Sequence, residues 1–164
     1  MLSTQRMLRL PVAVLALGAS IAVVPATAFG SDAVSREVAK RINVLRARNG
    51  LRPLVLDGRL ERAGRSQSSA MMSRRSLSHG KPDGKVRLTR LCQKMNAKTI
   101  GETIGWIRYR SPRKQAAGIV RWWMRSPPHR AALMSPTFSR IGVGRRTGQW
   151  GRAKVVWFSA DLSG

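Results

Sequence analysis

The chain has 164 residues, with 31 Lys+Arg against 7 Asp+Glu, a formal net charge of +24. This length fits one domain, and 43% hydrophobic content excludes a wholly disordered basic tail. A single cysteine, Cys92, excludes an internal disulfide and any thiolate-rich zinc site, and seven carboxylates leave little room for a calcium site or a paired-carboxylate glycosidase centre.

Residues 1–28 read as an export signal. Arg6 and Arg9 precede an apolar run from Leu10 to Val24, and Ala26-Thr27-Ala28 supplies the small-x-small pattern that signal peptidase requires. The run is shorter than the ~20 residues of a membrane span. Cleavage would leave 29–164 as one domain with no transmembrane segment, secreted to the extracellular or periplasmic space. Loss of Arg6 and Arg9 would bring its charge from +24 to +22.

The first predicted helix starts at a Ser31 or Asp32 cap and buries Val34, Val38, Ile42 and Leu45. Asn49-Gly50 and Pro53 end it. Asp57 caps a second helix that turns Leu60, Ala63, Gln67, Ala70 and Met71 inward and a row of arginines outward. Lys81-Pro82-Asp83-Gly84 reads as a turn. A short helix from about Val86 to Met95 follows, with Leu88, Leu91, Cys92 and Met95 on one face. This favours a buried thiol at Cys92 over an intermolecular disulfide.

Thr99 to Trp106 reads as a strand or extended segment. Ser111-Pro112 opens the clearest helix, with Ala116, Ile119, Val120, Trp123 and Met124 at helical spacing. Ser126-Pro127-Pro128 stops it, and a helical turn runs from His129 to Met134. Arg140–Gly144 and Lys154–Asp161 read as strands joined by a hairpin over Thr147–Gly151. The last strand is apolar on both faces, so it needs cover from both sides. Helices first and strands last imply an α-β-α arrangement with a small antiparallel sheet.

Three segments carry the residues with chemistry: Leu77-Ser78-His79-Gly80, Gly101-Glu102-Thr103-Ile104, and Ser126-Pro127-Pro128-His129-Arg130. Two imidazoles and one carboxylate suit an open divalent-metal site. The long spacings form no local metal motif, however. A turn histidine at His79, a capping His129 and a Glu102 paired with an arginine are equally available from spacing alone.

Six motifs in order raise the first reading. Asn43 and Arg46 through Gly50-Leu51, Pro53-Leu54 with Asp57 and Leu60, and Ser78-His79 with Asp83-Gly84 are the first three. Gly101-Glu102-Thr103-Ile104, Trp123-Met124-Arg125-Ser126-Pro127-Pro128-His129-Arg130 and Ile141-Gly142-Val143-Gly144 complete the set. From Val38 onward the chain resembles the CAP superfamily of cysteine-rich secretory, antigen 5 and pathogenesis-related proteins, its compact bacterial SCP-like branch in particular.

The resemblance implies a three-layer α-β-α sandwich with a central cleft. Two histidines and an acid of the cleft fall on His79, His129 and Glu102, implying a divalent metal such as zinc. The second acid of eukaryotic members falls near Arg125-Ser126, where neither residue replaces it. Thr103 stands where the family carries asparagine, and Pro128 where it carries glycine.

No Ser-His-acid triad is readable, so the sequence favours a binding module over an enzyme. A metal-assisted hydrolase using the His79/Glu102/His129 cleft is the alternative. The charge exceeds what solubility requires of a small domain. It implies anionic polymers or lipids of the cell envelope as partners, with no dedicated nucleic-acid role after export and a monomeric state. Arginine far outnumbers lysine, which favours bidentate contacts to phosphate or carboxylate. Arg121, Trp122, Arg145, Arg146 and Trp150 are the surface-binding expectations, with Trp150 at a lipid interface or resting on Arg152. Trp123 and Trp157 are assigned to the core.

Overall fold

The computed structural model describes residues 32–80 and 83–164. The predicted export signal lies outside them, as do Lys81 and Pro82.

Helix α1 spans Ala33–Arg48. The Asp32 carboxylate accepts from the backbone N–H groups of Val34 and Ser35 at 2.9 and 3.0 Å, satisfying two of the donors a helix start leaves open. The helix ends beyond Asn49 at Gly50, whose φ of +67° is a left-handed conformation that glycine adopts without strain. Strand β1 is the two-residue piece Val55–Leu56. Helix α2 spans Gly58–Arg74 and is capped by Asp57, which accepts from the Arg59 N–H at 2.8 Å.

Helix α3 spans Asp83–Met95, beginning three residues earlier than the sequence suggests. Strand β2 is Ile100–Arg108. Helix α4 spans Pro112–Arg125, with proline at its first position. Helix α4 ends before Ser126-Pro127-Pro128 as expected, but the proline pair is itself helical. It occupies the opening positions of α5, Pro127–Leu133, where a missing N–H costs nothing.

Strands β3, Arg140–Trp150, and β4, Ala153–Ser163, form the hairpin. The expected five-residue loop is tighter than that. The ladder continues to the pair Trp150 and Ala153, so only Gly151 and Arg152 turn the chain. The strand order is β1-β3-β4-β2. The β3-β4-β2 ladder is antiparallel as expected, whereas β1 pairs with β3 in parallel. A parallel neighbour needs a long crossover, and the chain from β1 to β3 supplies one.

Strand β4 is central and buried from Val155 to Ser163. Its alternation builds two layers. Val156, Phe158, Ala160 and Leu162 pack with Val38 and Ile42 of α1, Ile119 and Trp123 of α4, and Leu133 of α5. Val155 and Trp157 point the other way, with Met71 of α2 and Ile104. Helices therefore cover both faces, and the α-β-α sandwich is the observed architecture.

Close approach fixes α2 on the sheet. A side chain on Gly144 of β3 would run into the backbone of Gly64 and Arg65, and one on Gly142 into Leu60 and Glu61. Ser68 of α2 donates its hydroxyl to the Gly144 carbonyl at 3.0 Å. On the opposite layer, the buried Arg46 donates to the carbonyls of Arg52, Leu133 and Ser135 at 2.8–3.0 Å, tying α1 to the end of α5.

Candidate functional site

The cleft is assembled from the face of β4 that carries Val155 and Trp157. Continuing that alternation, Ser159 and Asp161 point the same way. Glu102 stands directly opposite Asp161 in the β2–β4 register. Two carboxylates thus face each other across neighbouring strands, Asp161 fully buried and the Glu102 side chain 1% exposed.

Arg87 of α3 closes over both. Its guanidinium binds Asp161 at 3.0 Å and also the Oε1 of Glu102. Ser159 donates its hydroxyl to the same Oε1 at 2.9 Å. Glu102 Oε2 is left for His79, whose Nδ1 lies 2.7 Å away.

His79 follows α2 on a short loop. Gln67 of α2 reaches down and donates to the Ser78 carbonyl at 2.7 Å, and Ser78 Oγ accepts from the Gly80 N–H at 3.1 Å. Gly84 at the start of α3 lies so close beneath His79 that a side chain there would meet its carbonyl at 2.6 Å. The imidazole itself is about half exposed.

His129 enters from the first turn of α5. Its Nδ1 lies 2.7 Å from Ser126 Oγ, and its ring sits 5.1 Å from that of Trp122. With Nδ1 of each ring engaged, Nε2 is the remaining nitrogen on both.

The electrostatics separate the two imidazoles. The hydrogen bond to Glu102 holds His79 above the ordinary histidine value, with the Glu102 charge adding to it against burial. Burial depresses His129, and the charge of His79 depresses it further. Burial pushes Asp161 up to about 7, with Arg87 pulling in the opposite direction. Burial also works against the Arg87 charge, but Asp161 and Glu102 outweigh it and hold that pKa above its usual value.

The structure therefore joins His79 to Glu102 directly, whereas His129 is held by Ser126 and packs against Trp122. Glu102 has both oxygens committed to His79, Arg87 and Ser159. Among the described residues, no group of three or more His, Cys, Asp or Glu side chains is arranged to hold a metal ion. Thr103 is fully buried on β2, and its hydroxyl has no partner.

The expected surface residues lie on α4 and on β3. Arg121 and Trp122 are exposed on α4, with Trp122 against His129. Arg145 is spent on Asp32 at 2.9 Å and Gln115 at 3.4 Å. Arg146 donates to Ser69 Oγ at 2.8 Å. Trp150 is half-buried and does not project from a loop. It stacks on Trp157 at 4.8 Å between centroids and meets Trp106 at 5.1 Å. Cys92 is half-buried, its thiol on the Ala97 carbonyl at 3.1 Å.

Arg87, Asp161 and Ser159 are the cleft residues that the sequence did not reveal. Asp161 did leave one trace: it is the single carboxylate in a largely apolar strand.

The sequence model of the cysteine-rich secretory protein family matches residues 39–161. A relative from Bacillus subtilis (strain 168), the uncharacterized protein YkwD, is 30% identical over 114 residues, which is 69% of this chain and 42% of the relative. An extracellular protein containing an SCP domain from Bacillus anthracis superposes with a TM-score of 0.63 at 20% identity, over 79% of this chain and 40% of that one. An outer surface protein from Borrelia burgdorferi superposes at 0.65 and 18% identity, over 79% and 91% of the two chains. The chain thus spans about two-fifths of the length of both Bacillus proteins. At these identities the structural likeness is one of fold.

Proposed function

This chain belongs to the cysteine-rich secretory protein (CAP) family, and we propose that it works outside the cell as a basic binding module for anionic polymers of the cell envelope. Fold alone does not fix function; the observation that carries this reading is the charge of +24. A field of this sign concentrates polyanions at the surface and speeds their capture.

Two of the proteins it resembles are described as extracellular or outer-surface proteins. Among the described residues, no helix is long and apolar enough to cross a membrane. The first fact supports an exported protein, which meets envelope polymers before it meets cytoplasmic nucleic acid. The test is binding to a polyanionic and to a neutral envelope polysaccharide across a range of salt. Capture of the polyanion that weakens steeply with salt supports the reading, and equal affinity for the neutral polymer refutes it.

A second reading, a metal-assisted hydrolase, is favoured by the paired imidazoles. Each ring has Nδ1 held by a hydrogen bond and Nε2 left over, which is how outer partners commonly orient metal-binding histidines. His79 and His129 would hold a divalent ion, and Glu102 would orient His79 instead of serving as a third ligand. A bound zinc would supply an acidified water. Against it stand a two-nitrogen donor set, the neighbouring Arg87 cation and the repulsion of the whole basic surface.

Calorimetric zinc titration of the wild type and of the His79→Ala/His129→Ala variant separates the outcomes. One-to-one binding lost in the variant supports the metal site. No binding by the folded wild type removes the hydrolase reading.

A further inference from the structure

An open depression lies away from the histidine cleft, between α1 and α4. It is an open groove of about 570 Å³. Its floor is aliphatic: Val44, Leu45, Ala117, Val120 and Met124 line it. Val44 is 45% exposed.

The rims are basic on both sides. Lys40, Arg41 and Arg48 stand on the α1 side, and Arg121 and Arg125 on the α4 side. The one acid, Glu37, is already engaged by Arg41 at 2.8 Å. Among the described residues, none of Lys40, Arg48, Arg121 and Arg125 has a carboxylate within ion-pair distance.

The cationic line continues past the groove. A second depression of about 410 Å³, lined by Arg110, Lys114 and Arg121, shares Ala117 and Arg121 with the first. Lys114, Arg121 and Arg125 are separated by seven and four residues, so they fall on one stripe of α4 about 16 Å long. On α1, Arg41 and Arg48 are seven residues apart and flank the apolar floor over about 10 Å.

We propose that this groove is the seat of a polyol-phosphate chain, a linear envelope polymer whose phosphodiesters repeat along short carbon linkers. The proposal rests on the anionic-polymer reading given above and locates it. Charge complementarity along the length of the groove selects this occupant. A single acyl amphiphile carries its charge at one end, whereas here cations recur along both rims. A polymer with an anion in every repeat matches that pattern, and its carbon linkers match the aliphatic floor.

Single-stranded nucleic acid carries repeating phosphates too, but its bases seek aromatic platforms. None of the groove-lining residues is aromatic. Arginine at the rim also gives phosphate the forked, two-point contact that lysine does not.

The test uses a short poly(glycerol phosphate) chain as probe, with affinity measured from low to moderate salt. The groove variant is Arg121→Gln/Arg125→Gln. Its charge-matched control is Arg108→Gln/Arg152→Gln, two exposed positions that line neither depression. The steric variant Ala117→Phe fills the floor with no change in charge, and Val44→Phe does so from an exposed position should Ala117→Phe fail to fold.

The proposal predicts at least a tenfold loss in the groove variant, with the slope of log affinity against log salt reduced by about one unit per lost contact, as for phosphate contacts on nucleic acids. The control should keep the wild-type slope within half a unit. Either floor variant should weaken binding at unchanged charge.

Equal losses in groove variant and control would overturn the location while leaving a polyanion-binding surface intact. Floor variants with wild-type affinity would overturn it also. Capture of single-stranded DNA, or of vesicles of phosphatidylglycerol and phosphatidylcholine, by a wild type that ignores the polymer would overturn the occupant. Failure to bind any polyanion would remove the parent reading as well.

Discussion

Glu102 and Asp161 stand opposite each other on β2 and β4, and the Arg87 guanidinium binds both. Two of the chain's seven carboxylates are therefore buried side by side in a protein that is otherwise overwhelmingly basic. Like charges directly across a ladder destabilise it unless a cation intervenes. Arg87 is that cation, and through Glu102 it fixes the ring of His79.

Arg87→Met should accordingly cost about 3–5 kcal/mol, because removing one partner strands buried charge. Urea unfolding measures it. Burial already pushes Asp161 from 3.8 up to about 7. With a native value above the unfolded one, the stability it lends is full below about 3.8 and is lost as pH rises through about 7. The loss in Arg87→Met should therefore be smaller at pH 5 than at pH 8. An equal loss at both would mean that the cost is packing and not charge.

The two histidines should titrate apart. His79 is held up by Glu102 and His129 is pushed down by burial, so ring resonances followed by NMR should give midpoints on either side of the ordinary value of 6.5. Glu102→Gln should lower the His79 midpoint. The linked stabilities have opposite sign. The His79 contribution is complete below 6.5 and fades as pH rises through its raised native value, trimmed by solvent because the ring is half exposed. The His129 contribution is present above 6.5 and fades as pH falls toward its lowered one. Coincident midpoints would contradict the geometry of the cleft.

Two glycines on one strand should respond differently to the same change. Gly144→Ala drives a methyl into α2 backbone at Gly64 and Arg65, which cannot yield without moving the helix. Its cost should be about 3 kcal/mol or more. At Gly148 the new methyl meets only the Met72 side chain, at 2.6 Å. A thioether chain can swing aside, so Gly148→Ala should cost less than about 1 kcal/mol. Thermal unfolding of the two variants is sufficient to compare them.

Helices α1 and α4 are legible in the sequence because cap, apolar period and stop signal agree in each. The double cover of β4 follows from its two apolar faces. Trp150 departs from expectation because Thr147-Gly148-Gln149-Trp150-Gly151 has turn composition. The ladder nevertheless runs to its last pair, and stacking on Trp157 buries half the ring. His79, Glu102 and His129 stand out through the resemblance, not through spacing. Arg87 is one arginine among many, and it meets Asp161 across 74 residues of sequence, a pairing that only the packing of α3 against the sheet creates.

The measurement that tests the central claim most directly is the salt dependence of polyanion binding, wild type beside His79→Ala/His129→Ala. A binding module that works by surface charge should lose affinity linearly on a log-log plot as salt rises, with the same slope and affinity in both proteins. Binding that ignores salt, or that disappears with the histidines, would contradict the account and return the cleft to the centre of the function.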